Sequence, residues 1–179
     1  MKSLLLSLLV FAAGAHAANE QLKAGVFDPP RAAPELSLQG SDGTELKLSR
    51  YRGKVVVLGF GFTSCPEICP TTLATLAKAR KKLGASANEL QVVYVTVDPE
   101  RDNPERMRQY LAAFDSSFIG GTGTPQQLSK VRQEYGVVGG KDHSTFVYLI
   151  DGDGRLRALS PYGRSADDIA HDVTILLKK

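Results

Sequence analysis

The chain has two cysteines, Cys65 and Cys69, four positions apart in "GFTSCPEICPTT" with a proline after each. Two thiols at that spacing can serve as a structural staple, a redox couple, a peroxide-reducing nucleophile with its resolving partner, or a pair of metal ligands. A staple closing so short a loop removes little unfolded-state entropy, because the benefit of a cross-link grows with the loop it closes. If Cys65 opens a helix and Cys69 lies one turn in, the i, i+4 spacing turns both sulfurs to one face, where they can chelate one ion or close a disulfide. A helix N-terminus also lowers thiol pKa, which favours the thiolate needed for metal binding and for exchange. Pro66 and Pro70 fit near a helix start, where a missing N–H costs least.

Spacing alone does not choose among these uses, so a third partner must. His171 stands two positions from Ile169 and two from Val173, opposite the apolar stripe of the last helical stretch, and reads as a solvated surface residue. His143 lies in "GGKDHSTF", a glycine-containing loop immediately before a buried strand, where a close approach to the cysteines is sterically open. Two soft thiolates and one imidazole make a three-coordinate set suited to Cu(I). Tetrahedral zinc would want a fourth ligand, and zinc with a water in that position stays open. A thioredoxin-type oxidoreductase would carry C-x-x-C and a cis-proline near position 143, whereas this chain has C-x-x-x-C and no proline between Pro125 and Pro161. A peroxiredoxin would place a threonine three residues before its nucleophile, and Thr63 is two before Cys65.

The elements that must position these residues alternate strand and helix. "ELSLQGSDGTELKLS" has leucines alternating around Gly40-Ser41-Asp42-Gly43, a hairpin signature, and "KVVVLGFGF" is a buried-strand run that ends where the cysteines begin. A helix starts at the cysteine motif and presents Leu73, Leu76, Ala77 and Leu83, with Gly84 past its end. "LQVVYVTVD" is a second buried strand, and Asn103-Pro104 and Thr124-Pro125 each open a further helix with proline at its first position. A hairpin around Asp151-Gly152-Asp153-Gly154 and a last helix from Ser165 complete the chain. Strand, helix, strand, helix, helix, hairpin, helix predicts an α/β fold with a mixed central sheet, and the cysteines fall at the carboxyl end of its first central strand, where open α/β sheets place ligands. This is a thioredoxin-like arrangement with an N-terminal β-hairpin extension.

The first residues bear on the compartment. Lys2, an apolar run of about 12 residues and Ala15-His16-Ala17 have the form of a signal peptide over residues 1–17, and the run is well short of the roughly 20 residues that cross a bilayer as a helix. Cleavage there predicts a soluble periplasmic protein and removes His16. Residues 18–34, with Pro29, Pro30 and Pro34, read as an extended arm, and residues 35–179 as one domain. The formal net charge of +3 falls by one when Lys2 leaves, too balanced for a nucleic-acid partner.

With these residues assembled, the chain resembles the SCO/SenC family of copper-handling proteins involved in assembling cytochrome c oxidase. "LSRYRGKVVVLGFGFTSCPEICPTTL", "VYVTVDPERDNPE" and "DHSTFVYLIDGDGRL" carry the resemblance, in family order, from about Pro34 to the C-terminus. It implies a thioredoxin-like fold, a copper ion bound through Cys65, Cys69 and His143, and a supporting role for Asp98. The implied function is a metallochaperone that delivers copper to the copper A subunit of the oxidase or another periplasmic copper protein. The alternatives are a thiol-disulfide reductase that keeps the copper A cysteines reduced, with Cys65 and Cys69 as its redox pair, and a copper or redox sensor.

Overall fold

The computed structural model describes residues 21–137 and 146–178; the leader expected over 1–17, the start of the arm and His143 lie outside the described residues. In chain order the elements are β1 (Gly25–Ala32), β2 (Leu38–Gly40), β3 (Glu45–Leu46), β4 (Val55–Gly61), α1 (Ile68–Lys82), β5 (Leu90–Thr96), α2 (Pro104–Ala112), β6 (Ile119–Thr122), α3 (Pro125–Tyr135), β7 (Phe146–Ile150), β8 (Arg155–Pro161) and α4 (Ala166–Leu177). They build a single sheet in the order β1-β8-β7-β4-β5-β6-β2-β3. β4, β5 and β6 run parallel, and β7 pairs antiparallel with β4. The expected α/β fold with a mixed, thioredoxin-like sheet is what forms, with the β2–β3 hairpin added at one edge.

The two central strands are apolar on both sides because helices cover both faces of the sheet. Val55 and Val57 of β4 and Val92 and Tyr94 of β5 face a layer holding Leu73 and Leu76 of α1, Met107 and Leu111 of α2 and Val173 of α4. The intervening Val56, Leu58, Phe60, Val93 and Val95 face Leu128, Val131 and Tyr135 of α3 and the hairpin leucines Leu38 and Leu46. Period-2 alternation within each strand therefore feeds two separate cores. The helix starts form as the sequence predicts: the side chains of Asn103, Thr124 and Ser165 accept the N–H groups of Arg106, Gln127 and Asp168.

Between α2 and α3, where the sequence predicts one helix followed directly by the next, the structure adds the strand β6. Its "IGGT" is short and carries two glycines, which argue against a strand when read locally. Packing supplies the reason for them, since a Cβ at Gly120 would lie 2.8 Å from Met107 Cβ, so the missing side chain lets α2 settle onto the strand.

Within the segment expected as an extended arm, Gly25–Ala32 is extended and pairs with β8. Asp172 of α4, nearly fully buried, holds the entry to this strand by accepting from Lys23 N at 2.7 Å and Ala24 N at 2.9 Å. His171 is half-exposed, with Nδ1 3.0 Å from Asp172 Oδ1.

Glu35 does the same for the hairpin. Its carboxylate accepts from Leu36 N at 2.9 Å, Leu48 N at 2.5 Å and Ser49 N at 3.2 Å. Burial acts to raise its pKa, but the hydrogen bonds from Ser49, Leu36 and Leu48 outweigh it and hold the carboxyl below its ordinary 4.5. A depressed folded pKa stabilises the fold above the unfolded value, and that contribution is lost as pH falls through the folded one. The urea midpoint of wild type should therefore exceed that of Glu35→Gln at pH 7, and the gap should close as pH is lowered below about 4. Midpoints measured from pH 7 to pH 3 check this.

Candidate metal centre

β4 ends at Gly61, and the chain turns through Thr63 and Ser64 before α1 begins. Cys65 lies in that turn, its N–H donating to Phe62 O at 3.3 Å, and Cys69 is the second residue of the helix. Cys65 thus sits ahead of α1 rather than opening it, because the helix starts only after Pro66 and Glu67. The sulfurs are still brought together, since the Cys69 N–H, one of the helix's unsatisfied N-terminal donors, points at Cys65 Sγ 3.3 Å away. No disulfide joins them. Pro70, third in the helix, falls where a missing N–H breaks no intrahelical bond.

The two sulfurs differ in setting. Cys69 is completely enclosed, and Cys65 is 8% exposed. The expectation that the helix start lowers thiol pKa fails for Cys69. Burial, followed by the hydrogen bond with Cys65, pushes it up to about 12, and the opposing hydrogen bond from Tyr94 does not offset them. Desolvation wins because the dipole of a helix is a partial charge, whereas burial removes nearly all the hydration of a full one. Tyr94 is raised as well, first by its own burial and then by Cys69. A second phenol, Tyr110 of α2, is shifted in the same direction by burial and by the charges of Cys69, Cys65 and Asp102. The Tyr110 hydroxyl is enclosed with no hydrogen-bond partner among the described residues.

Asp98 follows β5, whose continuation adjoins the cysteine strand through Val97 N donating to Gly61 O at 2.8 Å. It is 5% exposed, with Oδ2 3.6 Å from Arg101 Nη1, and its N–H donates to Thr96 Oγ1 at 2.9 Å. Asp98 therefore stands at the same end of the sheet as the cysteines. Among the described residues no three His, Cys, Asp or Glu side chains converge as a metal cluster, and His143 is outside them. Three residues after it Phe146 begins β7, whose Val147 pairs with Gly59 of β4. The paired thiols suit a soft ion, since thiolate sulfur selects metals such as Cu(I) over harder cations.

The residue that sequence reasoning missed is Asp102. It is fully buried, and its carboxylate accepts from Thr63 N at 3.0 Å, Thr63 Oγ1 at 2.6 Å and Thr96 Oγ1 at 2.7 Å. Arg106 donates from Nε to Thr63 Oγ1 at 2.7 Å, closing the network from the solvent side. The carboxylate thus ties the turn before Cys65 to the end of β5. The available signal was a second aspartate in "VDPERD", four residues after Asp98, but nothing local shows which of the two folds under the cysteine turn.

A cysteine pair at the carboxyl end of the central strand of a thioredoxin-like sheet defines the class, a small thiol-bearing α/β domain. The SCO1/SenC family model matches residues 28–178, and the chain belongs to that family. The SCO2-like protein of Rickettsia conorii is 33% identical over 133 residues, which are 68% of this chain and 65% of that one. The chain therefore spans somewhat less than two thirds of the length of that relative. Among solved structures, apo Sco1 of Thermus thermophilus is 35% identical over 89% of this chain and 99% of that one, with a TM-score of 0.79. The ScoI of Bradyrhizobium japonicum, solved with copper bound, is 30% identical over 81% of this chain and 99% of that one, with a TM-score of 0.73. Among the described residues no helix is long and apolar enough to cross a membrane.

Asp102→Ala should lower stability by about 3 kcal/mol, because it removes a buried charge acceptor and leaves Thr63 N and two hydroxyls to find other partners. The same variant should make Cys65 react faster with a maleimide than in wild type at a pH and temperature where both are folded. Urea unfolding and stopped-flow thiol labelling give the two readouts.

Proposed function

We propose that this protein is a periplasmic copper metallochaperone that binds one Cu(I) through Cys65, Cys69 and His143 and delivers it to the copper A site of cytochrome c oxidase. The observation that carries the reading is the juxtaposed cysteine pair, one sulfur accepting the other residue's N–H, in a chain of the SCO1/SenC family. The copper held by the related ScoI supports the choice of metal. Asp98, at the neighbouring strand end, is proposed to act in support rather than as a ligand. The signal peptide over residues 1–17 would export the protein to the compartment in which copper A is assembled.

The chain's own groups account for how the ion is taken and released. Cys65, at the rim, is the sulfur an incoming ion meets first, and Cys69 completes the pair from below. Both protons must leave, since the thiolate is the ligand. Two thiolates and a neutral imidazole leave a Cu(I) site with one net negative charge, and the rim position of Cys65 offers a recipient's thiolate a route to displace one ligand at a time. The alternative, reduction of a disulfide on the recipient, is favoured by the same asymmetry: a slightly exposed Cys65 can attack, and the buried Cys69 beneath it can resolve the mixed disulfide.

Anaerobic titration of reduced protein against a competing chelator should show one Cu(I) per chain, lost in Cys65→Ala and Cys69→Ala and weakened on the order of 10-fold to 100-fold in His143→Ala. Unchanged affinity in His143→Ala removes the three-ligand site. Copper transfer and thiol exchange measured on the same oxidase domain separate chaperone from reductase, and fast reduction without transfer promotes the second reading.

The pH dependence follows from Cys69. With its thiol raised to about 12, it carries its proton throughout the neutral range, so binding a metal releases that proton. Apparent Cu(I) affinity should rise by at least about 10-fold per pH unit between pH 6 and pH 8, and a competition titration at three pH values reads the slope.

A further inference from the structure

In "LGFGF" the two glycines of β4, Gly59 and Gly61, fall on the face that carries Val55 and Val57, directly opposite α1. A strand interior gains nothing from glycine unless something must come close. What comes close is Tyr94, which pairs in register with Gly59 across the β4–β5 ladder. A Cβ at Gly59 would lie 2.8 and 2.9 Å from the Tyr94 ring carbons Cε2 and Cδ2. At Gly61 a Cβ would overlap the Tyr94 hydroxyl and lie 2.7 Å from Cys69 Sγ. The ring is therefore laid along β4 through two positions without side chains, and its hydroxyl is delivered to the Cys69 sulfur, with which it forms a hydrogen bond. Tyr94 is 2% exposed, and a buried phenol needs a partner for its O–H. Phenylalanine would fill the same space without the hydrogen bond, so packing explains the ring and not the hydroxyl.

We propose that Tyr94 is a positioning residue for Cys69, its phenol O–H donating to Sγ so that the sulfur is held toward Cys65 and the pair is biased to its reduced, metal-accepting form. The inference rests on reading Cys65 and Cys69 as the working pair. A thiol or thiolate sulfur accepts a hydrogen bond better than a disulfide sulfur, so the phenol stabilises the reduced state more than the oxidised one. The same bond withdraws electron density from a metal-bound thiolate, and hydrogen bonding around a cysteine sulfur is one of the means by which a copper site's potential is set.

The test is the metal-free protein equilibrated in glutathione redox buffers. Two glutathione thiols are oxidised to one glutathione disulfide as the Cys65–Cys69 bond takes up two electrons and two protons. Tyr94→Phe should make the disulfide harder to reduce by roughly threefold to tenfold, the scale of one hydrogen bond, and tenfold is about 30 mV for a two-electron couple. Gly59→Ala keeps the phenol, and its Cβ meets the Tyr94 ring at 2.8 Å and neither sulfur, so it pushes the ring out of place without touching Cys69; it should move the couple in the same direction, which also covers the case in which Tyr94→Phe fails to fold. Tyr110→Phe removes a nearby phenol that makes no hydrogen bond to either sulfur, and should leave the couple in place. An unmoved couple in Tyr94→Phe, or an equal shift in Tyr110→Phe, overturns the proposal.

With Cu(II) added, the sulfur-to-copper charge-transfer band of Tyr94→Phe should lie at longer wavelength than that of wild type, because a thiolate without its hydrogen bond is a better donor. A wild type that takes up no copper, with the metal-free couple shifted as expected, sinks the copper reading and leaves Tyr94's role standing. Copper uptake with both couple and band unchanged does the reverse.

Discussion

The Asp102 side chain is shut off from water, and what replaces the lost solvent is a set of hydrogen bonds together with the Arg106 guanidinium, whose Nε lies 3.7 Å from Oδ1. Those bonds come from two separate stretches of chain, Thr63 in the turn before Cys65 and Thr96 at the end of β5. The backbone of the acid's own loop is fixed at the same time, with Asp102 N donating to Asp98 O at 3.0 Å. One side chain therefore sets the spacing between the two central strands where the sheet opens and the rigidity of the turn that carries the first thiol. A metal or exchange site needs its donors held to within a fraction of an ångström, and a turn left to itself does not provide that.

Upon that frame the two thiols are made unequal. Cys69 is enclosed beneath the helix start and keeps its proton, while Cys65 lies at the rim. A pair of exposed thiolates would be open to oxidation at every encounter, whereas a buried neutral thiol waits for an ion or a disulfide strong enough to draw off its proton. The cost is proton release on binding, which couples the site to pH. Among the described residues the groups that shift Cys69 are its partner thiol, the Tyr94 phenol and a backbone hydrogen bond, and none of them offsets its desolvation.

Much of the architecture was readable along the chain. The caps at Asn103, Thr124 and Ser165, the period-2 runs of β4 and β5 and the turn glycines all act within a few residues of themselves, and the structure places helices and strands where they predict. β6 was not readable, because its two glycines weaken any strand signal and its place beside β5 depends on α2 packing across it. The cysteine pair and Asp98 were legible as a site because residue types and order mark them. Asp102, Tyr94 and the β4 glycines were not, although all four stand inside the segments that carry the family resemblance.

The division has one physical reason. Composition and periodicity report what a residue does with its near neighbours, so sequence by itself determined the helices, the strands other than β1 and β6, the presence of two thiols at the end of a buried strand and the family. Tertiary structure decided what depends on contacts between distant segments: that Cys65 precedes the helix instead of opening it, that burial outweighs the helix terminus at Cys69, and that the carboxylate of Asp102 rather than Asp98 closes under the turn. It also decided that the glycines of β4 exist to admit a phenol from the next strand. Desolvation and close approach are properties of the packed interior, and they have no magnitude until the chain has folded around them.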